Sequence, residues 1–212
     1  ADGSPLVSHE RPQLKRSVGR TKRGNHMRME FFGDTYDVVK QSFLRWLGIL
    51  GNWAVHPMFT GDVSQEQADE FSAFLGASLI SKDILTSKTN RTQYFSVAQN
   101  CQDHLFLDPD TGIKVSNNKK SKKQSYIFMS ELINIARCRP SRLTLVYDQS
   151  LNRGKELQEL QDKLKTLKTN GVFGNAYLSH TNFILISCKQ ELLNDAISTL
   201  RRESRLPNER FI

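Results

Sequence analysis

His104-Leu105-Phe106-Leu107-Asp108-Pro109-Asp110-Thr111-Gly112 is an apolar run that breaks off in two carboxylates, a proline and a glycine. Leu143-Thr144-Leu145-Val146-Tyr147 behaves in the same way and ends at Asp148. Short apolar runs bounded by turn residues read as strands buried on both faces of a sheet. In an open α/β sheet, ligands bind at the carboxyl ends of the strands, so two strands that deliver acids to that edge mark a candidate site. The competing explanation is that Asp108 and Asp110 only shape a loop, as Asp and Gly do routinely.

Upstream of this stretch, Asp34 or Thr35 can cap a helix along which Tyr36, Val39, Phe43, Leu47 and Leu50 recur at helical spacing, with Gly48 and Gly51 ending it. Residues 53–59 read as a short buried strand, and a turn at 60–64 leads into a helix carrying Ala68, Phe71, Phe74 and Leu75, closed by Gly76. Residues 78–103 are the least legible, with a short helix expected around 91–98.

Downstream, a polar loop at 114–124 precedes a helix over 126–137, which Pro140 prevents from extending. After the strand at 143–147, Leu157, Leu160, Leu164 and Leu167 mark one face of a long helix stopped at Asn170-Gly171. This stripe is better suited to core packing than to a coiled coil. Strands at 172–178 and 183–187, joined through Ser179-His180-Thr181-Asn182, precede a last helix with Leu192, Leu193, Ala196, Ile197 and Leu200. Strands alternating with helices predict a three-layer α/β sandwich with a mostly parallel central sheet. The close succession of the last two strands predicts a C-terminal antiparallel pair.

The length suits a single domain, here 27–212, and 38% apolar residues suffice for a core. No apolar run approaches the ~20 residues that cross a bilayer, so a membrane location is not expected. Cys101, Cys138 and Cys188 are odd in number and widely spaced, which disfavours a disulfide framework or zinc knuckle and points to a reducing cytoplasm. The net charge of +8 divides evenly, with +4 on residues 1–26 and +4 on the rest. Gly24-Asn25-His26-Met27 reads as a cloning scar before an initiator Met, with Met29 a second possible start. The tail 1–26 is then vector-derived or translated from upstream of the true start. The alternative is a basic arm for nucleic acid.

The chain resembles the class I methyltransferase fold, and more specifically the bacterial 23S ribosomal RNA adenine-N6 methyltransferases and related methyltransferase-like proteins. The match is carried by Phe32-Gly33-Asp34-Thr35-Tyr36-Asp37-Val38-Val39-Lys40 entering a helix and by Asp108-Pro109 at the place of an Asp-Pro-Pro-aromatic loop. The later strand, helix and hairpin follow in order, so the resemblance spans about residues 31–205. A Leu-Asp-Pro-Asp segment behind an early Gly-Asp is also similar to bacterial proteins of unknown function.

The resemblance implies S-adenosylmethionine as cofactor and a nucleic-acid substrate. It assigns the catalytic loop and its partner to Asp108, Pro109, Asp110 and Lys40, with Asp108 orienting the target amine. His56, Pro57, Asp34 and Asp148 fall to the cofactor, and Lys114, Lys119, Lys120, Lys122 and Lys123 to phosphate. Two departures stand out. The turn Val55-His56-Pro57-Met58-Phe59-Thr60-Gly61-Asp62 has one glycine and no Gly-x-Gly, and Asp110-Thr111 replaces Pro-aromatic. An active and a decayed methyltransferase are both compatible with this pattern. Plainer explanations make the lysine run a solvated loop and pair Lys40 with Asp37 one turn back, a contribution of about 0.2–0.5 kcal/mol.

Two further classes remain. Asp108, Asp110 and Asp148, joined by Asp34 if its helix starts over the same edge, are hard oxygen ligands for Mg²⁺ or Mn²⁺ in a phosphodiester hydrolase. A non-enzymatic interaction module on a degenerate fold is the other. Ser179-His180 has no Gly-x-Ser-x-Gly elbow, and no phosphate-binding Gly-x-x-x-x-Gly-Lys loop is present. His56, His104 and His180 lack metal-ligand spacing, and Cys101 has no sequence feature that would activate it.

Overall fold

The computed structural model describes residues 32–115 and 123–212. The tail 1–26 and Lys119, Lys120 and Lys122 lie outside the described residues. Helix α1 (Thr35–Leu47), strand β1 (Trp53–His56), helix α2 (Gln65–Leu75) and the two-residue strand β2 (Ser78–Leu79) come first. Helices α3 (Arg91–Tyr94) and α4 (Ser96–Asn100), then strands β3 (His104–Leu107), β4 (Gly112–Lys114) and β5 (Tyr126–Phe128), follow. The remainder is α5 (Met129–Cys138), β6 (Thr144–Asp148), α6 (Glu156–Thr169), β7 (Phe173–Tyr177), β8 (Asn182–Ser187) and α7 (Gln190–Ser204).

The central sheet runs β2-β1-β3-β6-β8-β7. Its first four strands are parallel, and β8 lies antiparallel between β6 and β7. This is the expected three-layer α/β sandwich with its C-terminal antiparallel pair. Alternation along each strand sorts the side chains into two cores. Val55, Phe106, Leu145, Tyr147, Phe183 and Leu185 meet α1, α2 and α7 on one face. Ala54, Leu105, Leu107, Val146, Ile184 and Ile186 meet the layer containing α4, α5 and α6 on the other.

Local chemistry explains the element boundaries. The Asp34 carboxylate caps α1 by accepting from the Tyr36 and Asp37 amides at 2.8 and 3.1 Å. Ser64 and Gln67 form a capping box on α2, which ends at Gly76 in the left-handed region (φ +66°). The first helix stops at Leu47, and Gly48–Leu50 tighten into a 3-10 turn. The expected strand over 53–59 is only Trp53–His56, because Pro57 ends it.

Two expectations need correction. Tyr126–Phe128 is not the start of a helix but strand β5, which pairs in parallel with β4 as a small second sheet. The helix begins at Met129, where the Glu131 carboxylate accepts the Phe128 amide at 2.9 Å. The single helix expected over 91–98 is two short ones, broken at Phe95.

Candidate functional site

From β1 the chain first moves to β2 on one side and later to β3 on the other, so the order of connections reverses between β1 and β3. In α/β sheets this reversal opens a crevice beyond the carboxyl ends of the two strands. Here those ends are His56 and Leu107, paired in register, with the Asp108 amide donating to the His56 carbonyl at 3.1 Å.

The turn beyond β1 is filled by its own side chains. Pro57, Met58, Phe59 and Thr60 are all buried. Met58 enters the core on the α4–α6 side and Phe59 the core on the α1 side. Met58 also sits at φ +52°, a left-handed conformation that costs a side-chain-bearing residue about 1–2 kcal/mol. His56 is fully buried against Tyr94 and Phe95, with ring centroids at 4.9 and 5.8 Å. Neither of its ring nitrogens has a hydrogen-bond partner among the described residues. Burial lowers its pKa to about 4, although the nearby Tyr94 backbone slightly favours the charged form.

Asp108 continues the alternation of Phe106 and therefore turns toward α1. There the Lys40 ammonium donates to Asp108 Oδ2 at 2.9 Å and to Asp37 Oδ1 at 3.0 Å, and lies 4.5 Å from the centre of the Tyr147 ring. Complete burial pushes the Asp108 carboxyl up to about 6; Lys40 opposes this, while Asp37 and Asp110 add to it. Burial by itself would favour a neutral Lys40, but Asp108 and Asp37 outweigh it and hold the lysine above its ordinary value. Burial and the charge of Asp108 likewise raise the Tyr147 phenol.

Asp148 continues the alternation of Val146 and turns to the opposite face. Its Oδ1 accepts the Ile113 amide at 3.1 Å, the Ser150 amide at 3.1 Å and the Ser150 hydroxyl at 2.6 Å, while Oδ2 accepts from Lys163 of α6 at 2.6 Å. Lys163 also donates to Ser150 Oγ at 2.8 Å. Gly112 makes this close approach possible. At φ +132°, a Cβ there would stand 2.1 Å from Asp148 Oδ1. Asp148 thus fastens β4 to the end of β6.

The expected shared acidic site is therefore not assembled. Asp108 and Asp148 end adjacent strands but face opposite layers, each paired with a different lysine. Among the described residues, no group of three or more His, Cys, Asp or Glu side chains is placed to hold a metal ion. The trio Asp108, Asp110 and Asp148 consequently does not form a metal centre, and Asp34 is engaged in capping. His56, Asp108, Pro109 and the turn at Pro57 do share one edge, with half-buried Asp110 beside Asp108. Lys40 is committed to Asp37 and Asp108. Lys114 places its ammonium 5.0 Å from the centre of the Tyr126 ring, and the Lys123 carbonyl accepts from Arg91 at 3.1 Å.

Tyr147, Ser150 and Lys163 are participants that the strand-end pattern does not reveal. Lys163 is detectable only as a charge inside the apolar stripe, three residues after Leu160 and four before Leu167. The expected cofactor does not fit this edge. Its crevice is packed with Met58 and Phe59, the chain ends β1 without a Gly-x-Gly turn, and the carboxylate that would hold an amine is sealed under Lys40. Compared with protein-family models, curated proteins and solved structures, the chain matches none.

Proposed function

We propose that this chain is a methyltransferase-like domain that binds nucleic acid without transferring a methyl group. The observation that carries this reading is the filled crevice between β1 and β3, together with an Asp108 carboxylate already bound by Lys40. Its kinship with methyltransferases is supported by the parallel strands, the reversal beside β1 and the hairpin strand β8 inserted next to β6. The net charge of +4 on residues 27–212 supports an anionic partner, as do Lys114, Lys119, Lys120, Lys122 and Lys123 within one short stretch. No helix among the described residues is long and apolar enough to cross a membrane. The three cysteines stand unpaired, which suits the cytoplasm as its compartment.

Calorimetric titration of S-adenosylmethionine into the folded chain is expected to give no binding at millimolar ligand, and micromolar affinity would overturn the inactive reading. Fluorescence anisotropy with labelled single-stranded RNA is expected to show binding that weakens steeply with salt. Changing the five lysines to alanine should flatten the log–log salt slope by about 0.7 for each phosphate no longer neutralised. An absence of RNA binding at low salt would remove the nucleic-acid assignment.

A further inference from the structure

A cleft of about 510 Å³ lies beside the small second sheet, on the side of the molecule away from Lys40 and Asp108. Its volume falls in the range that takes a nucleotide-sized ligand. Its walls are Ile113 and the half-exposed Tyr126 ring, Ser150 and Lys163 contribute polar groups, and Glu159 and Asp162 of α6 add carboxylates, that of Glu159 already accepting from Asn152. Lys163 is almost wholly buried and carries three N–H donors, of which Asp148 and Ser150 take two. Asp162 is exposed and gives one oxygen to Gln158 at 3.0 Å, leaving the other as an acceptor. The Lys114 ammonium on the Tyr126 ring supplies a cation at the cleft wall.

We infer that this cleft receives a guanine base of a single-stranded nucleic acid, an assignment that rests on the nucleic-acid reading above. The chemistry of the lining selects the base. A lysine N–H matches the guanine O6 and N7 acceptors. A carboxylate accepts from the adjacent N1–H and N2–H groups, and the Tyr126 ring offers for stacking the face that Lys114 does not cover. Adenine presents an amino donor where guanine presents O6, so it would direct N–H groups at the lysine ammonium.

The test uses the full chain and two labelled oligouridines, one with a central guanine pair and the other with adenines in its place. The guanine oligonucleotide is expected to bind about tenfold more tightly, the lower end of what a well-matched base pairing with a side chain provides. Tyr126→Ala and Asp162→Asn should each erase most of that preference, with folding checked by circular dichroism. Asp162 is exposed, so its variant keeps the test valid even if the ring substitution perturbs β5. Equal binding of both oligonucleotides, unchanged in the two variants, would overturn the cleft assignment while leaving charge-driven binding intact. No binding of either at low salt would overturn the nucleic-acid reading and this assignment with it.

Discussion

Lys40–Asp108 and Lys163–Asp148 are both buried lysine–carboxylate pairs at the ends of neighbouring strands, yet their environments differ. Asp148 accepts two backbone amides, a hydroxyl and an ammonium. Asp108 depends on one ammonium, which it shares with Asp37, and both Asp37 and Asp110 bear on it. Satisfied networks of the first kind specify a structure. A fully buried carboxylate with its pKa raised is the kind of strained group that marks functional edges. The Asp148 pair is a fastening, and the Asp108 pair holds a strained carboxylate shut.

The largest effect should come from Lys163→Met, which leaves Asp148 buried without its cation. A loss of about 3–5 kcal/mol is expected from urea unfolding midpoints. A loss below about 1 kcal/mol would show that Asp148 is not relying on the lysine. Asp148→Asn added to Lys163→Met should restore much of the stability, because it removes the uncompensated charge and keeps an oxygen for the Ile113 and Ser150 amides.

His56, at the crevice end of the sheet, gives the next effect. Its folded pKa, about 4, lies below the ordinary 6.5. Its contribution is therefore complete above pH 6.5 and lost as pH falls toward 4, a change on the order of 3 kcal/mol. His56→Phe should remove that acid-side loss from a series of melting curves; an unchanged slope would show that the imidazole is hydrated.

Asp108 acts with the opposite sign. Its pKa rises from 3.8 to about 6 on folding, so its favourable contribution is full below pH 3.8 and disappears as pH climbs through 6. The stability of the parent chain relative to Asp108→Asn should fall by about 2–3 kcal/mol across that window and stay flat above it. A difference that does not change across the window would show that Lys40 fully offsets the burial of the carboxylate. The smallest effect is expected from Asp34→Ala, which removes the cap of the helix that presents Lys40 and should cost about 1 kcal/mol in thermal unfolding.

Much of this arrangement can be read from the chain, and the misses have physical causes. Strands β3, β6 and β8 are legible because their apolar runs are uninterrupted, and the capping residues locate α1 and α2. Strands of two or three residues, such as β2 and β4, are too short to show a period. The aromatic start of β5 merges into the helical pattern behind it. Both aspartates are visible as strand ends. Which face each one takes is not, because that depends on register: Leu107 pairs with Val146, which offsets Asp108 from Asp148 by one residue, and a one-residue offset exchanges faces. The lysines are legible in principle as charges inside apolar stripes, Lys40 three residues before Phe43 and Lys163 three after Leu160.

The left-handed backbone at Met58 has an evolutionary consequence. Glycine adopts that conformation without penalty, so the main chain at the crevice already has the geometry that a ligand-cradling glycine turn requires. A filled and an open form of this turn can therefore differ at two adjacent positions, 58 and 59, with the packing of a thioether and a phenyl ring as the barrier between them. A domain that closes its crevice in this way keeps the means of reopening it.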